Sequence, residues 1–160
     1  MRPEYGDIFI RDLDLNFQRP ELAQFFTYWN ERRGARRFPS RADIAPHDIT
    51  HLLPWLHMYD VVDGGNDFLV RLAGTSISSF FNLGNPHGKS ISILPPQIFE
   101  RLHHHLTAVL LERAPIRFYT KKSVMPGQDF QGSEGCYAPL SRNGVGIDII
   151  ICLMMLENRK

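Results

Sequence analysis

The residues in this sequence that are best suited to chemistry are histidines, and they fall in two short groups. In the stretch HDITH, His47 and His51 are four positions apart, so on a helix both rings would face one metal ion. The zinc-protease motif with this spacing has a glutamate in second place as the general base, and it needs a third ligand. Here the second residue is Asp48, and Pro46 and Pro54 restrict the helix to about two turns. The pattern therefore favours the polar face of a connecting helix and predicts no metal.

The second group consists of three consecutive histidines, His103, His104 and His105. Consecutive helical residues differ in direction by about 100°, so these rings cannot converge on one ion. His104 is predicted to point away from the apolar stripe of its helix, and the other two to lie at its borders with solvated tips. One border histidine is enough for an axial haem ligand. Haem therefore stays open as a minority alternative, and the cofactor is otherwise unknown.

The remaining candidates for chemistry are arginines and cysteines. The main concentration of positive charge is formed by Arg32, Arg33, Arg36, Arg37 and Arg41. Cations at a helix end and in a solvated loop are the favoured interpretation, and a site for an anion or an acidic partner stays open. The two cysteines, Cys136 and Cys152, are predicted to be packing residues. Because the usual nucleophile and phosphate-loop motifs are absent as well, we expect that the protein is not an enzyme.

The overall composition describes one ordinary globular domain. Its 160 residues are 43% hydrophobic and 22% charged, and the formal net charge is +1. A chain of this length buries about 70% of its unfolded surface without disulfides or a metal. No signal sequence and no apolar run of about 20 residues is visible. We expect a cytoplasmic protein with no nucleic-acid partner and no membrane insertion.

Helix and strand signals alternate along the chain. In the strand FLVRLA, Phe68, Val70 and Leu72 are predicted to share one face and Arg71 the other. The Asn143-Gly144 pair is a strong signal for a short hairpin between the last two strands. The predicted elements are helices at 20–33, 46–54 and 95–113, one or two short turns at 75–83, and strands at 55–62, 68–73, 116–121, 129–140 and 145–156.

This order of elements predicts an α+β fold. It comprises a five-stranded antiparallel sheet with helices over one face and an N-terminal helical extension. Residues 1–17 are expected to be an extension and residues 18–160 a single domain. The extension could pack on the sheet or mediate a homodimer.

Several motifs in the first half of the chain resemble one known family. The segment YWNERRGARRFPSRADIAPHDITHLLPWLHMYDVV, followed by FLVRLAGTSI, contains a Tyr-Trp pair, Pro-Ser-Arg-x-Asp, Leu-Leu-Pro and Arg-Leu-Ala-Gly-Thr. These motifs are similar to those of the PAS-like domain family of alphaproteobacteria, formerly a domain of unknown function. Gly88-Lys89-Ser90 and Ala138-Pro139-Leu140-Ser141 agree more loosely. The residues that carry the resemblance are Trp29, Pro39, Arg41, Asp43, Pro46, Pro54, Arg71 and Gly74.

The resemblance implies a PAS fold and a sensory or regulatory role in signal transduction. Such domains act through ligand binding or protein contact, and the family offers no catalytic residues to transfer. Arg41 and Asp43 are predicted to pin the N-terminal helix to the sheet. The candidate ligand-pocket residues are His57, Val70, Leu72, Thr75, Phe80, Phe81, Leu102, His105, Leu106, Tyr137 and Ile149. They could equally fill a core.

Three functions follow from these observations, in order of preference. The first is a stand-alone PAS-like regulatory domain that binds a small molecule or a signalling protein. The second is a protein-interaction module without a ligand. The third and least favoured is a metal-dependent enzyme that uses His47 and His51.

Overall fold

The computed structural model describes residues 9–120 and 132–156, which form an antiparallel sheet and three α-helices. No helix in these two ranges is long and apolar enough to cross a membrane. Single 3₁₀ turns and one longer 3₁₀ segment, Pro46–Trp55, connect the regular elements. The strands are β1 (Phe9–Asp12), β2 (Leu56–Val62), β3 (Asp67–Ala73), β4 (Ile116–Thr120), β5 (Ser133–Leu140) and β6 (Ile149–Leu156). The helices are α1 (Pro20–Arg33), α2 (Thr75–Phe81) and α3 (Pro96–Glu112).

The strand order in the sheet is β1-β4-β5-β6-β2-β3, and all neighbours are antiparallel. The predicted α+β class and antiparallel sheet are confirmed. The predicted number of five strands is too low, because β1 pairs with β4 from Phe9 opposite Thr120 to Asp12 opposite Arg117. A four-residue strand gives almost no periodic signal by itself. Residues 9–12 of the predicted extension thus form an edge strand of the sheet.

Helices cover both faces of the sheet. We call the face under α3 the inner face and the face under α1 the outer face. Along β6, Ile151 and Leu153 pack in the part of the core under α1, whereas Ile150 and Cys152 pack in the part of the core under α3. The prediction of helices over one face therefore holds for α3 but not for α1. The unbroken apolar run of β6 is typical of a strand that is buried on both sides.

A β-bulge changes the expected alternation of side chains in β3. Tyr59 pairs with Val70 but Met58 pairs with Leu72, so Arg71 is an extra residue in the ladder. Because a bulge shifts every later residue to the other face, Leu72 leaves the inner face that Phe68 and Val70 share. The prediction that all three share one face is therefore wrong for Leu72, which is 36% exposed on the outer side.

The Tyr-Trp pair attaches α1 to the rest of the domain. The indole Nε1 of Trp29 donates to the carbonyl oxygen of Pro139 in β5, at 3.0 Å. The hydroxyl of Tyr28 donates to Asp48 and accepts from the backbone N–H of Ala45, each at 2.9 Å. One residue of the pair thus binds the sheet, and the other binds the connector between α1 and β2.

Arg41 does not pin α1 to the sheet, so that prediction is wrong. Its Nη1 donates to the carbonyl of Ile44, three residues further along the same connector. Asp43 accepts from the backbone N–H and the hydroxyl of Ser40 and pairs with Arg36, which lies just beyond the end of α1. The part of the connector around Arg41 and Asp43 is therefore stabilised mainly by contacts within the connector.

The connection between β5 and β6 is longer than the predicted short hairpin. The strands pair up to Leu140 opposite Ile149, so residues 141–148 form the loop. The Oδ1 of Asn143 accepts from the backbone N–H groups of Val145 and Gly146 at 2.9 and 3.0 Å. An Asx-type turn thus replaces the two-residue turn. Of the predicted strand at 129–140, residues 129–131 lie outside the described residues.

Two of the family motifs meet at Gly74. Its backbone N–H donates to Leu56 at 2.8 Å. A Cβ built at Gly74 would lie 2.2 Å from the carbonyl oxygen of Leu53 and 2.4 Å from that of Pro54. These are backbone atoms, so they cannot rotate away. Only glycine therefore allows the Arg-Leu-Ala-Gly-Thr segment to approach the Leu-Leu-Pro segment this closely.

Substitution of Gly74 by alanine is expected to lower the free energy of unfolding by about 1–3 kcal/mol or more, because β3 or the 3₁₀ segment must shift. Urea denaturation measures this loss. The matched control is Gly146→Ala, since no atom lies within 4 Å of a Cβ built there. A Gly74→Ala variant as stable as Gly146→Ala would contradict the close approach.

Candidate functional site

Five aromatic and imidazole side chains form a compact group between α3 and the inner face of the sheet. We call it the inner cluster: His57, Tyr59, His105, Phe118 and Tyr137. His57 Nδ1 and the Tyr59 hydroxyl are 2.7 Å apart, and the His105 ring stacks on Phe118 with centroids 3.7 Å apart. Tyr137 meets both histidine rings edge-on, at 5.8 and 5.2 Å. His57 and His105 are only 4% and 3% exposed, so the cluster is part of the core.

Two small voids adjoin the inner cluster. Their volumes are about 30 Å³ and about 20 Å³. Each has room for about one water molecule, whereas sites for organic ligands have volumes of about 300 Å³ or more. Arg101, Tyr137 and Met154 line both voids, and His57 lines the larger one. The two voids that the described residues form beside the inner cluster are therefore water-sized.

Burial determines the charge state of the inner cluster. Burial, and then the positive charge of Arg101, lower the pKa of His57 from 6.5 to about 3. The same two causes, in the same order, bring the pKa of His105 well below 6.5. Burial raises the pKa of Tyr59 and of Tyr137 above 10.0. All four side chains are therefore uncharged at neutral pH and form a polar but neutral group beside the Arg101 guanidinium.

The geometry does not fit a haem bound to either border histidine. The Phe118 ring covers one face of His105, and the void on its other sides is only about 20 Å³. His103 packs against the rings of Phe68 and Phe99. His104 is exposed, as predicted, but His105 is buried rather than at a solvated border. His105 is buried because this side of α3 packs against Phe118 and Tyr137 of the sheet.

The HDITH histidines lie on an irregular segment rather than on an α-helix. The 3₁₀ segment is kinked at Ile49, which has φ −130° and ψ 35°. His51 Nε2 contacts Gln24 on α1 at 3.4 Å, whereas His47 is 84% exposed and contacts its neighbour Asp48. Within residues 9–120 and 132–156, no three His, Cys, Asp or Glu side chains come close enough to hold a metal ion.

Most of the arginine concentration is already engaged. Arg32 pairs with Asp48 at 3.1 Å, and Arg33 donates to the side chain of Asn30. Arg37 lies over the ring of Phe38 at 5.3 Å. With Arg36 held by Asp43, four of the five arginines have local partners that account for their positions. Arg41 lies apart from them and lines a different feature.

Arg41 lines a depression on the outer face, which we call the outer groove. It has two adjoining halves of about 420 Å³ and about 350 Å³, and Arg41, Met58 and Leu72 line both. The larger half is mostly apolar, and the smaller one also contains Asp60, Arg71 and His87. Both halves lie where the connector meets the edge of the sheet at β2 and β3.

The predicted pocket residues are distributed between four places. His57, Phe81, Leu102, His105 and Tyr137 line the two inner voids, and Val70 and Leu106 pack in the core under α3. Leu72 and Thr75 line the outer groove. Phe80 packs on Trp55, and Ile149 lies in the outer core.

Sequence reasoning missed Tyr59, Arg101 and Phe118 at the inner cluster. Tyr59 is two residues from His57 on a strand, and this spacing puts both on one face. Arg101 is four residues before His105 on α3, so the two lie on the same side of that helix. Both signals are present in the sequence, but neither identifies a site until the facing strand is known.

Comparison with known proteins places the chain in a family. The family model of the PAS domain matches residues 17–148, and no curated protein matches the sequence. The solved structure of an RNA-binding light-oxygen-voltage receptor is similar to this chain, with 13% identity and a TM-score of 0.49. That match covers 74% of this chain and 35% of the receptor chain. The chain belongs to the PAS domain family, and its class is that of a sensory or signalling domain.

Proposed function

We propose that this chain is a regulatory PAS domain whose output passes through contact with another protein. The partner is either a signalling protein or a second copy that forms a homodimer. The observation that supports contact over internal ligand binding is the small size of the inner voids, about 30 and 20 Å³. An organic ligand there would have to displace α3 or the packed rings of the inner cluster.

The test uses the large apolar side chains that the surface exposes. Leu13, Ile93, Leu111 and Val145 are between 50% and 78% exposed. Four variants, each with a photo-crosslinking amino acid at one of these positions, are expressed in the native host. One variant is expected to give a discrete crosslinked product, and the others only heterogeneous products. Mass spectrometry of that product identifies a partner or a dimer. The control position is Glu31, which is exposed but polar.

Discrete products at none of the four positions would contradict contact through the described surface. Concentration-dependent sizing separates the two kinds of contact, since only a homodimer changes its mass with its own concentration.

The second candidate is the sensing of a small molecule at the inner cluster. It is supported by the convergence of two histidines, two tyrosines and Arg101 on one buried place, together with the lowered histidine pKa values. Native mass spectrometry of the purified protein tests it. A bound species that is lost in a Tyr137→Phe variant would favour this candidate. The bare mass of the chain, with no stabilisation across a metabolite panel, would count against it.

A further inference from the structure

The outer groove contains a guanidinium without a carboxylate partner. No carboxylate within residues 9–120 and 132–156 pairs with Arg41, and its Nε is shielded from water with no hydrogen-bond acceptor. The nearest acids are already engaged. Asp43 pairs with Arg36, and Asp60 pairs with Arg71. The Arg41 side chain lines both halves of the groove, and a guanidinium carries several donors that suit a carboxylate, so this side chain is suited to an anion.

The floor of the larger half of the groove is apolar. Thr50 and Thr75 lie on its rim. The bulge at Arg71 turns Leu72 toward this groove, where its side chain is 36% exposed. The apolar lining residues are Ile44, Pro46, Ile49, Leu53, Pro54, Leu56, Met58, Leu72 and Ala73. A volume of about 420 Å³ lies within the range of small-molecule sites.

We propose that the outer groove binds a small amphipathic carboxylate, such as a medium-chain fatty acid. The carboxylate accepts charge-assisted hydrogen bonds from Arg41, and the aliphatic chain lies along Leu53 and Leu72 and removes their exposed surface from water. This site lies on the opposite face of the sheet from the inner cluster, and the proposal goes beyond the proposed function.

A free aliphatic acid suits the groove better than a peptide does. An extended peptide needs hydrogen-bond partners along its main chain, and Pro46 and Pro54 in the groove wall have no N–H to offer. An aliphatic chain needs none. The single unpaired cation matches a ligand with a single negative charge.

The experiment titrates decanoate, below its micellar concentration, into the purified full chain and follows binding by calorimetry and by backbone amide NMR shifts. Saturable binding is expected, with shifts centred on the groove. Arg41→Gln is expected to raise the Kd by about tenfold or more through loss of the charge-assisted hydrogen bonds. Leu72→Asp, on the exposed rim, is expected to abolish binding because it adds a carboxylate beside Arg41. The matched control is Arg37→Gln, which removes an exposed arginine outside the groove.

Three outcomes would overturn the proposal. One is the absence of saturable binding at millimolar decanoate. Another is an equal response to decyltrimethylammonium, since this would show non-specific adsorption of the alkyl chain. The third is that the protein binds a peptide with a free, apolar C-terminal residue but does not bind decanoate. If Arg41→Gln does not fold, Leu72→Asp decides, and thermal melting of every variant separates lost binding from lost folding.

Discussion

Acidification from pH 6.5 to pH 4.5 is expected to lower the free energy of unfolding by at least about 2 kcal/mol, which is a substantial part of the stability of a typical domain. His57 and His105 cause this loss. Burial and the charge of Arg101 hold the pKa of His57 at about 3 and that of His105 well below 6.5 in the folded chain. In the unfolded chain both imidazoles titrate near 6.5.

The sign follows from these two states. Below pH 6.5 the unfolded chain binds protons that the folded chain does not bind. The contribution of the neutral His57 to the free energy of unfolding is therefore fully present above pH 6.5 and decreases as the pH falls toward 3. His57 contributes about 1.4 kcal/mol per pH unit within this window, or about 2 kcal/mol by pH 4.5, and His105 adds a loss of the same sign. Asp12 and Asp43 do not contribute much there, because their pKa values lie below 3.8 in the folded chain.

Urea denaturation at half-unit pH intervals measures the effect, and a variant assigns it. His105→Phe keeps a ring on Phe118 but removes one titrating group, so its stability is expected to fall less steeply with pH than that of the wild type. His104→Gln, at an exposed position on the same helix, is expected to retain the wild-type slope. Equal slopes for His105→Phe and the wild type would show that His105 is not buried in its neutral form.

The sequence predicted the elements better than their arrangement. The bounds of α1 and α3 were close to the structure because prolines, apolar spacing and a terminal glycine or arginine mark them locally. The pairing of β1 with β4 joins residues more than 100 positions apart, and no local pattern encodes it. The face of the sheet on which α1 packs could not be predicted from the sequence for a related reason. In β6 both faces are apolar, so alternation cannot tell which helix covers which face.

The candidate sites were less predictable than the fold, and two residues show why. Leu72 belongs to the inner face by strict alternation, and a single bulge at Arg71 moves it to the outer groove. Ile149 is predicted to line the pocket, but side chains alternate along β6, so Ile149 lies in the outer core and Ile150 faces inward. Strand parity decides the membership of a site, and one residue of slippage reverses it.

The strongest polar attachment of α1 to the sheet is also a product of long-range pairing. Arg117 of β4 donates to Glu134 of β5 and to Asp12 of β1 on the outer face. The side chains of Arg117 and Glu134 are only 8% and 5% exposed. Glu134 also accepts the backbone N–H groups of Gln18 and Arg19, each at 2.8 Å. These two residues immediately precede α1, so the buried pair of Glu134 and Arg117 joins three strands to the start of a helix.

Substitution of Glu134 by leucine is expected to lower the free energy of unfolding by about 3–5 kcal/mol. The loss is large because a buried cation loses one of its two carboxylate partners and the helix loses an anion at its positive end. Chemical denaturation with circular dichroism measures it. The control is Arg142→Ala, which breaks the ion pair between Arg142 and Asp148. The side chain of Arg142 is 83% exposed, so this substitution is expected to lower the free energy of unfolding by less than about 1 kcal/mol.

A double variant separates the ion pair from mere packing. Replacement of both Arg117 and Glu134 by leucine removes the charge that Glu134→Leu leaves stranded, so the double variant is expected to be more stable than the sum of the single losses predicts. It still lacks the acceptor for Gln18 and Arg19, and it is therefore expected to remain less stable than the wild type. Strictly additive losses would mean that Arg117 and Glu134 do not interact, and the ion pair would then have to be abandoned as a source of stability.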